Sequence, residues 1–197
     1  RNPNILYDLL FQTSAAAMLV VAADPKHLGA KIGFVSILHT WGQNLLAHPH
    51  VHCVIPAGGF SADYTSWVHP KYPFFLPVKV LSRVFRGKFV DALKRAHGKK
   101  RIQFSRADAA LEQPKQFLSF LRTLFRQDWV VYAKPAFGGA SQVLRYLGRY
   151  THRVAISNHR LLSFDAERVN FPLEGLCTWK QTAQNDAYSY GVPTALC

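Results

Sequence analysis

The stretch AHPHVHCVI, Ala47 to Ile55, sets histidines at alternate positions of an otherwise apolar, β-branched run. In an extended strand residues i and i+2 share a face, so His48, His50 and His52 point one way while Val51, Cys53 and Ile55 point the other. Neutral imidazole is a common metal ligand, and a pair at this spacing presents two ring nitrogens to one ion without a strained loop. A third ligand is expected from His39, at the end of the preceding apolar run, with Gln43 as the alternative. Such a set suits zinc or manganese, and it holds magnesium when a phosphate supplies the remaining oxygens. The competing reading is three polar residues on the open face of a half-exposed strand. Pro49 cannot donate to a strand ladder, which places the pair near a strand end or a sheet edge.

A second constellation lies in SQVLRYLGRYTHR, Ser141 to Arg153. Tyr146 and Tyr150 are four apart, so on a helix they share a face, one turn above the other. Tyrosine can form covalent intermediates, and its phenol becomes a better nucleophile where a metal and basic side chains ease its ionisation. Arg145, Arg149, His152 and Arg153 put positive charge beside them. Without such a site, two amphipathic tyrosines simply pack on a core with their hydroxyls wet.

The elements that must position these residues follow from periodicity. A helix is predicted from about Ile5 to Ala23, stopped before Asp24-Pro25. Ile32 to Thr40 and His50 to Ala57 read as two paired strands, the second ended by Gly58-Gly59, and Trp67 to Pro77 reads as an irregular surface segment. Val78 to Ala96 spaces Val80, Val84, Phe85, Phe89 and Leu93 on one face of a basic amphipathic helix. A further helix is predicted from Pro114 to about Phe125, a strand from Trp129 to Ala136, and a helix from Ser141 to Arg153. The segments VAIS and RLLSF, around Asn158-His159, read as a hairpin. The whole is read as one α/β domain.

Among the 197 residues, 24 Lys and Arg stand against 11 Asp and Glu, a formal net charge of +13 and a pI near 10.0. Such a balance points to a polyanionic partner, with nucleic acid ahead of an anionic membrane. The run from Ser14 to Ala23 falls short of the roughly 20 apolar residues that span a bilayer, and no leader pattern opens the chain. A soluble, cytoplasmic protein is therefore expected, without a membrane partner or a small-molecule substrate. Cys53, Cys177 and Cys197 form no Cys-x-x-Cys pair, so neither a disulfide framework nor a cysteine zinc site is suggested.

His-hydrophobe-His on a strand, followed by Tyr-x-x-x-Tyr on a basic helix, resembles the two-tyrosine HUH nucleases. More narrowly, LHTWGQNLLAHPHVHCVIPAGG, FRQDWVVYAKPAFGG and YLGRYTHRVAISNHRLLS are similar to the rolling-circle transposases of the insertion-sequence-91 type, a resemblance that runs from about Asn2 to Phe171. It implies an α/β (α+β) fold with a central, mainly antiparallel sheet flanked by helices. It also implies a bacterial, nucleoid-associated enzyme that cleaves and rejoins single-stranded DNA. A divalent ion, Mg²⁺ or Mn²⁺, would be held by His50, His52 and a third ligand; His39 matches that ligand by spacing only. Tyr146 and Tyr150 match the nucleophiles that form a 5′-phosphotyrosine link. Arg83, Arg86, Lys94 and Arg95 on the basic helix, Lys99, Lys100 and Arg101 after it, and Arg149 and Arg153 would track phosphates. Trp41, Trp67, Tyr72, Phe74 and Phe75 are candidates for stacking unpaired bases. The alternatives are an inactive DNA-binding remnant of such a transposase and a related replication initiator or relaxase.

Family members carry an amino-terminal cysteine zinc region and a longer carboxyl end, so this chain is expected to be a fragment: a catalytic domain over residues 1–171 and a tail over 172–197. After Phe171 the family continues with a run like RWKDYAHGNKQ, whereas this chain reads PLEGLCTWKQT. Codons exist for the second string that yield the first when one nucleotide is dropped. The tail is therefore expected to be frameshifted and poorly ordered.

Overall fold

Pro3 sits in the first turn of a helix, where its fixed φ is pre-organised and its missing N–H is no loss. Helix α1 spans Pro3–Ala23 and stops where Pro25 forces Asp24 into an extended conformation. The carbonyl of Asp24 then accepts from the backbone N–H of His27 and of Gly29, and Gly29 takes the positive φ of 70° that closes the turn. The structure, a computed structural model, describes residues 2–42, 46–134, 139–151, 162–164 and 169–170.

Helix α2, Val78–Gly98, runs alongside α1 in the opposite direction, and together they bury two apolar clusters. Met18, Val21 and Ala22 near the end of α1 meet Leu28, Leu76 and Leu81; Leu9 near its start meets Val90, Leu93 and Ala96 of α2. Phe117 and Leu121 of α3, Pro114–Thr123, close the second cluster. By length and composition α1 could cross a membrane, with a mean hydropathy of 1.7 over its best window. Leu9, Met18, Val21 and Ala22 of this helix are buried in the two clusters, while Leu6, Leu19 and Val20 remain exposed.

Strands β1, Val35–Trp41, and β2, Ala47–Val54, form an antiparallel hairpin packed on α1. Cys53 and Ile55 pack against the first cluster, so the opposite face of β2 carries His50 and His52. Two shorter antiparallel pairs follow: β3, Gly59–Phe60, with β4, Trp67–Val68, and β5, Ser163–Phe164, with β6, Val169–Asn170. Trp67 covers Gly58, where φ is +145° and a side chain would collide with the indole. A 3₁₀ segment, Arg106–Glu112, lies between α2 and α3. Helix α4, Ala140–Thr151, packs beside β1.

The fold class is as the sequence implies: mixed α and β, with antiparallel strands flanked by helices. Among the described residues, however, the strands pair only in twos. The strand predicted from Trp129 is corrected, since residues 129–134 form no strand. The physical reason is visible at Trp129, whose carbonyl accepts from Ser82 Oγ at 2.6 Å and whose indole donates to the Leu124 carbonyl at 3.1 Å. Ser163–Phe164 of RLLSF is a strand, paired among the described residues with Val169–Asn170. The VAIS segment, Gln43, Ala136, His152, Arg153 and the tail Pro172 to Cys197 lie outside the described residues.

Candidate metal centre and its tyrosine

The ladder pairs His39 with His50 and Ile37 with His52. Directly opposed residues of an antiparallel pair share a face, so register alone puts His39 beside both members of the predicted pair. The register shifts between His39 and Trp41, whose partners are His50 and Ala47. That irregularity falls at His48 and Pro49, the position where proline cannot continue the ladder.

The three rings form a triangle, with centroids 5.5 Å apart for His39 and His50, 4.6 Å for His39 and His52, and 4.8 Å for His50 and His52. All three residues are half-buried, and their candidate ligand atoms lie within 4.8 Å of one another. Two ligands at about 2.0–2.1 Å from one ion span up to about 4 Å, so small ring rotations close the set. His48 is exposed and takes no place in the triangle; its carbonyl accepts from His50 Nδ1 at 2.6 Å. That bond puts the proton on Nδ1 and leaves the Nε2 lone pair of His50 for an ion, the outer-partner arrangement usual for histidine ligands.

Burial lowers the pKa of both residues of the pair. Desolvation acts first on His50, and on His52 it combines with the neighbouring His50, His39 and Lys134 to bring the ring down to about 4. Both imidazoles are therefore neutral near pH 7, the form that binds metal. The donor set fits a divalent ion in number and in spacing.

Tyr146 reaches this triangle from α4. Its hydroxyl lies 3.0 Å from His52 Nδ1, and the two rings meet edge to face at 6.3 Å. Tyr150 follows one turn later in α4, on the same face by periodicity, and its side chain lies outside the described residues, as does that of Arg149.

The basic residues divide by their contacts. Arg83, Lys94, Lys99, Lys100 and Arg101 are exposed. Arg95 is exposed too and pairs with Asp91 one turn earlier. Arg86 instead fastens α2 to the segment after α3, donating to the Phe125 and Gln127 carbonyls at 3.3 Å and 2.9 Å and lying over the Phe125 ring. Lys134 was not singled out by sequence reasoning, yet its charge is felt at His52. It is brought there by the path of residues 129–134, which no local pattern encodes.

Residues 33–185 match the family described as "Putative transposase". The chain is 50% identical over 186 residues to "Putative transposase y4qJ" of Sinorhizobium fredii, covering 94% of this chain and 45% of that protein. It is 25% identical over 175 residues to the "Transposase for insertion sequence element IS801" of Pseudomonas savastanoi pv. phaseolicola, covering 81% of this chain and 37% of the relative. The chain thus spans less than half the length of these two relatives. No solved structure matches it. A histidine triangle and its tyrosine sit within the matched region, and the chain belongs to this transposase family.

Proposed function

We propose that this chain carries the strand-nicking centre of a bacterial, cytoplasmic DNA transposase of the HUH type, acting on single-stranded DNA. The observation that carries the reading is the Tyr146 hydroxyl 3.0 Å from His52, inside a set of three convergent imidazoles. His39, His50 and His52 would hold one Mg²⁺ or Mn²⁺, which supplies Lewis-acid polarisation of the scissile phosphate and a template for the attack.

Everything else falls to the chain. Phosphoryl transfer asks for positioning and charge neutralisation more than for a strong base. Were Nε2 of His52 to serve as the ligand atom, Nδ1 would carry the proton and donate to the phenolic oxygen, which would fix Tyr146 and favour its ionised form. Tyr146 Oη bonds to phosphorus, the phenol proton is released, the bond from phosphorus to the 3′ oxygen breaks, and that oxygen gains a proton. The products are a 5′-phosphotyrosine and a free 3′-hydroxyl. Tyr150, one turn along, would serve a second transfer while the first link persists. Lys99, Lys100 and Arg101, exposed together at the end of α2, would hold backbone phosphates.

The test is covalent capture of labelled single-stranded DNA carrying candidate element ends, with Mg²⁺ or Mn²⁺, on a denaturing gel. The expected result is a metal-dependent adduct, lost on combining Tyr146→Phe with Tyr150→Phe. DNA binding without any adduct would instead favour a protein that binds and no longer cuts.

A further inference from the structure

The exposed aromatic residues are not equivalent. Trp67 packs edge-on against Phe60 at 5.2 Å and covers Gly58, Tyr64 carries the Lys31 ammonium at 4.1 Å, and Phe75 packs on the first core cluster. Tyr72 and Phe74 pack on each other instead. Their rings are parallel to within 10°, with centroids 5.3 Å apart, and they remain 55% and 48% exposed. So much exposed ring surface is costly unless something covers it.

The two rings line a cleft of about 250 Å³, with Phe75 as part of its apolar wall and Lys26, His27 and Lys71 at its polar side. Among the described residues, no acidic one lines it. The segment is held in shape by Pro70, Pro73 and Pro77, whose rings restrict the backbone, and by Lys71 Nζ, which donates to the Pro25 carbonyl at 2.9 Å. A rigid platform loses little entropy when it is covered. The volume lies below the roughly 300–1,000 Å³ of drug-sized ligand sites, which suits one flat ring system better than an extended ligand.

The geometry points to this cleft as a site for an unpaired base of single-stranded DNA, stacked on the Tyr72 and Phe74 pair, with Lys26 and Lys71 facing the adjoining phosphates. Aromatic faces with flanking cations are how strands are held without base pairing, and in a duplex the base faces are already stacked. The charge of +13 and the absence of carboxylates among the described lining residues favour nucleic acid over an acidic-residue-seeking peptide. The inference rests on the reading of the chain as a single-strand DNA transposase.

Photocrosslinking with an oligonucleotide carrying one 5-iodouracil tests it, together with affinity measurements on variants. The single strand is expected to crosslink at Tyr72 or Phe74, and the same sequence as a duplex is not. Combining Tyr72→Ala with Phe74→Ala is expected to weaken single-strand affinity by roughly 5- to 140-fold, the range for losing one stacked base, while Tyr72→Phe keeps it. The Mn²⁺-induced rise in unfolding temperature, measured on the same variants, reports whether the histidine site and the fold survive. Equal affinity of wild type and double-alanine variant overturns the cleft and leaves the proposed function standing. A wild type that binds no single strand overturns both. If the double variant loses its fold, crosslinks mapping only elsewhere on the wild type overturn the cleft.

Discussion

Replacing His39 with Ala separates a three-histidine metal centre from a mere pair. His39 faces His50 across the ladder, and its ring lies 5.5 Å from His50 and 4.6 Å from His52. The substitution removes no ladder hydrogen bond, and the cross-strand ring contacts are worth about 0.2–1 kcal/mol, so the metal-free protein loses little. Loss of an outer partner of a metal ligand weakens metal binding by about 10–100-fold, and loss of a ligand itself is expected to reach at least the upper end, about 100-fold. At a metal concentration about 100 times the wild-type Kd, the ion stabilises wild type by about 2.7 kcal/mol and the variant by only about 0.4 kcal/mol. At about 2–4 °C per kcal/mol for a chain of this size, Mn²⁺ should raise the wild-type Tm by about 5–11 °C and that of His39→Ala by about 1–2 °C. Thermal unfolding with and without Mn²⁺ checks this, backed by a direct Mn²⁺ titration. A full shift in His39→Ala would remove His39 from the ligand set, and no shift in either protein would remove the metal centre.

Other outcomes follow from the same contacts. His52 titrates near 4 when folded and near 6.5 when unfolded, chiefly because it is buried. Above about pH 6.5 the ring is neutral in both states and contributes nothing; below that the unfolded chain takes up a proton that the folded ring refuses. Metal-free stability is therefore expected to fall with pH through the window from 6.5 down to about 4, more steeply than in His52→Gln, as read from urea midpoints. Identical slopes would show that the ring is not desolvated. For Arg86→Ala, the loss of its bonds to two carbonyls should cost about 1–2 kcal/mol of stability and leave the salt dependence of DNA affinity unchanged. Lys100→Ala should do the reverse, lowering the salt slope for single-stranded DNA by about 0.7 with stability intact. A salt slope that moves with Arg86 and not with Lys100 would reverse these assignments.

Where a residue's role follows from local period, the sequence is a good guide. The alternation His50, Val51, His52, Cys53 declares two faces, and Pro114 marks a helix start that the structure keeps. Where the role depends on partners distant in sequence, local pattern fails. The choice between His39 and Gln43 rests on the β1–β2 register, and the register depends on an irregularity at His48 and Pro49 that strand propensity does not locate. Trp-Val-Val-Tyr has the composition of a strand, yet the Trp129 carbonyl is taken by a serine side chain of α2. Arg86 lies off the apolar stripe of its helix, but its length lets the guanidinium reach two carbonyls after α3. The 3₁₀ segment at Arg106–Glu112 buries no residue and so leaves no apolar period to read.

The two faces of β2 meet different surroundings. On one, Cys53 and Ile55 pack on the first core cluster, and Ser36 Oγ lies 3.4 Å from the Cys53 sulfur. Burial raises the Cys53 pKa, so the thiol stays protonated and acts as a small core residue. On the other face, His50 and His52 meet His39 and Tyr146, residues that come from β1 and α4. A one-residue slip of the hairpin would exchange the faces, burying imidazoles in the core and turning the thiol toward Tyr146. The apolar cluster beneath Cys53 therefore does more than stabilise the fold. It penalises every slip by an odd number of residues, and so keeps His50 and His52 on the face that His39 shares.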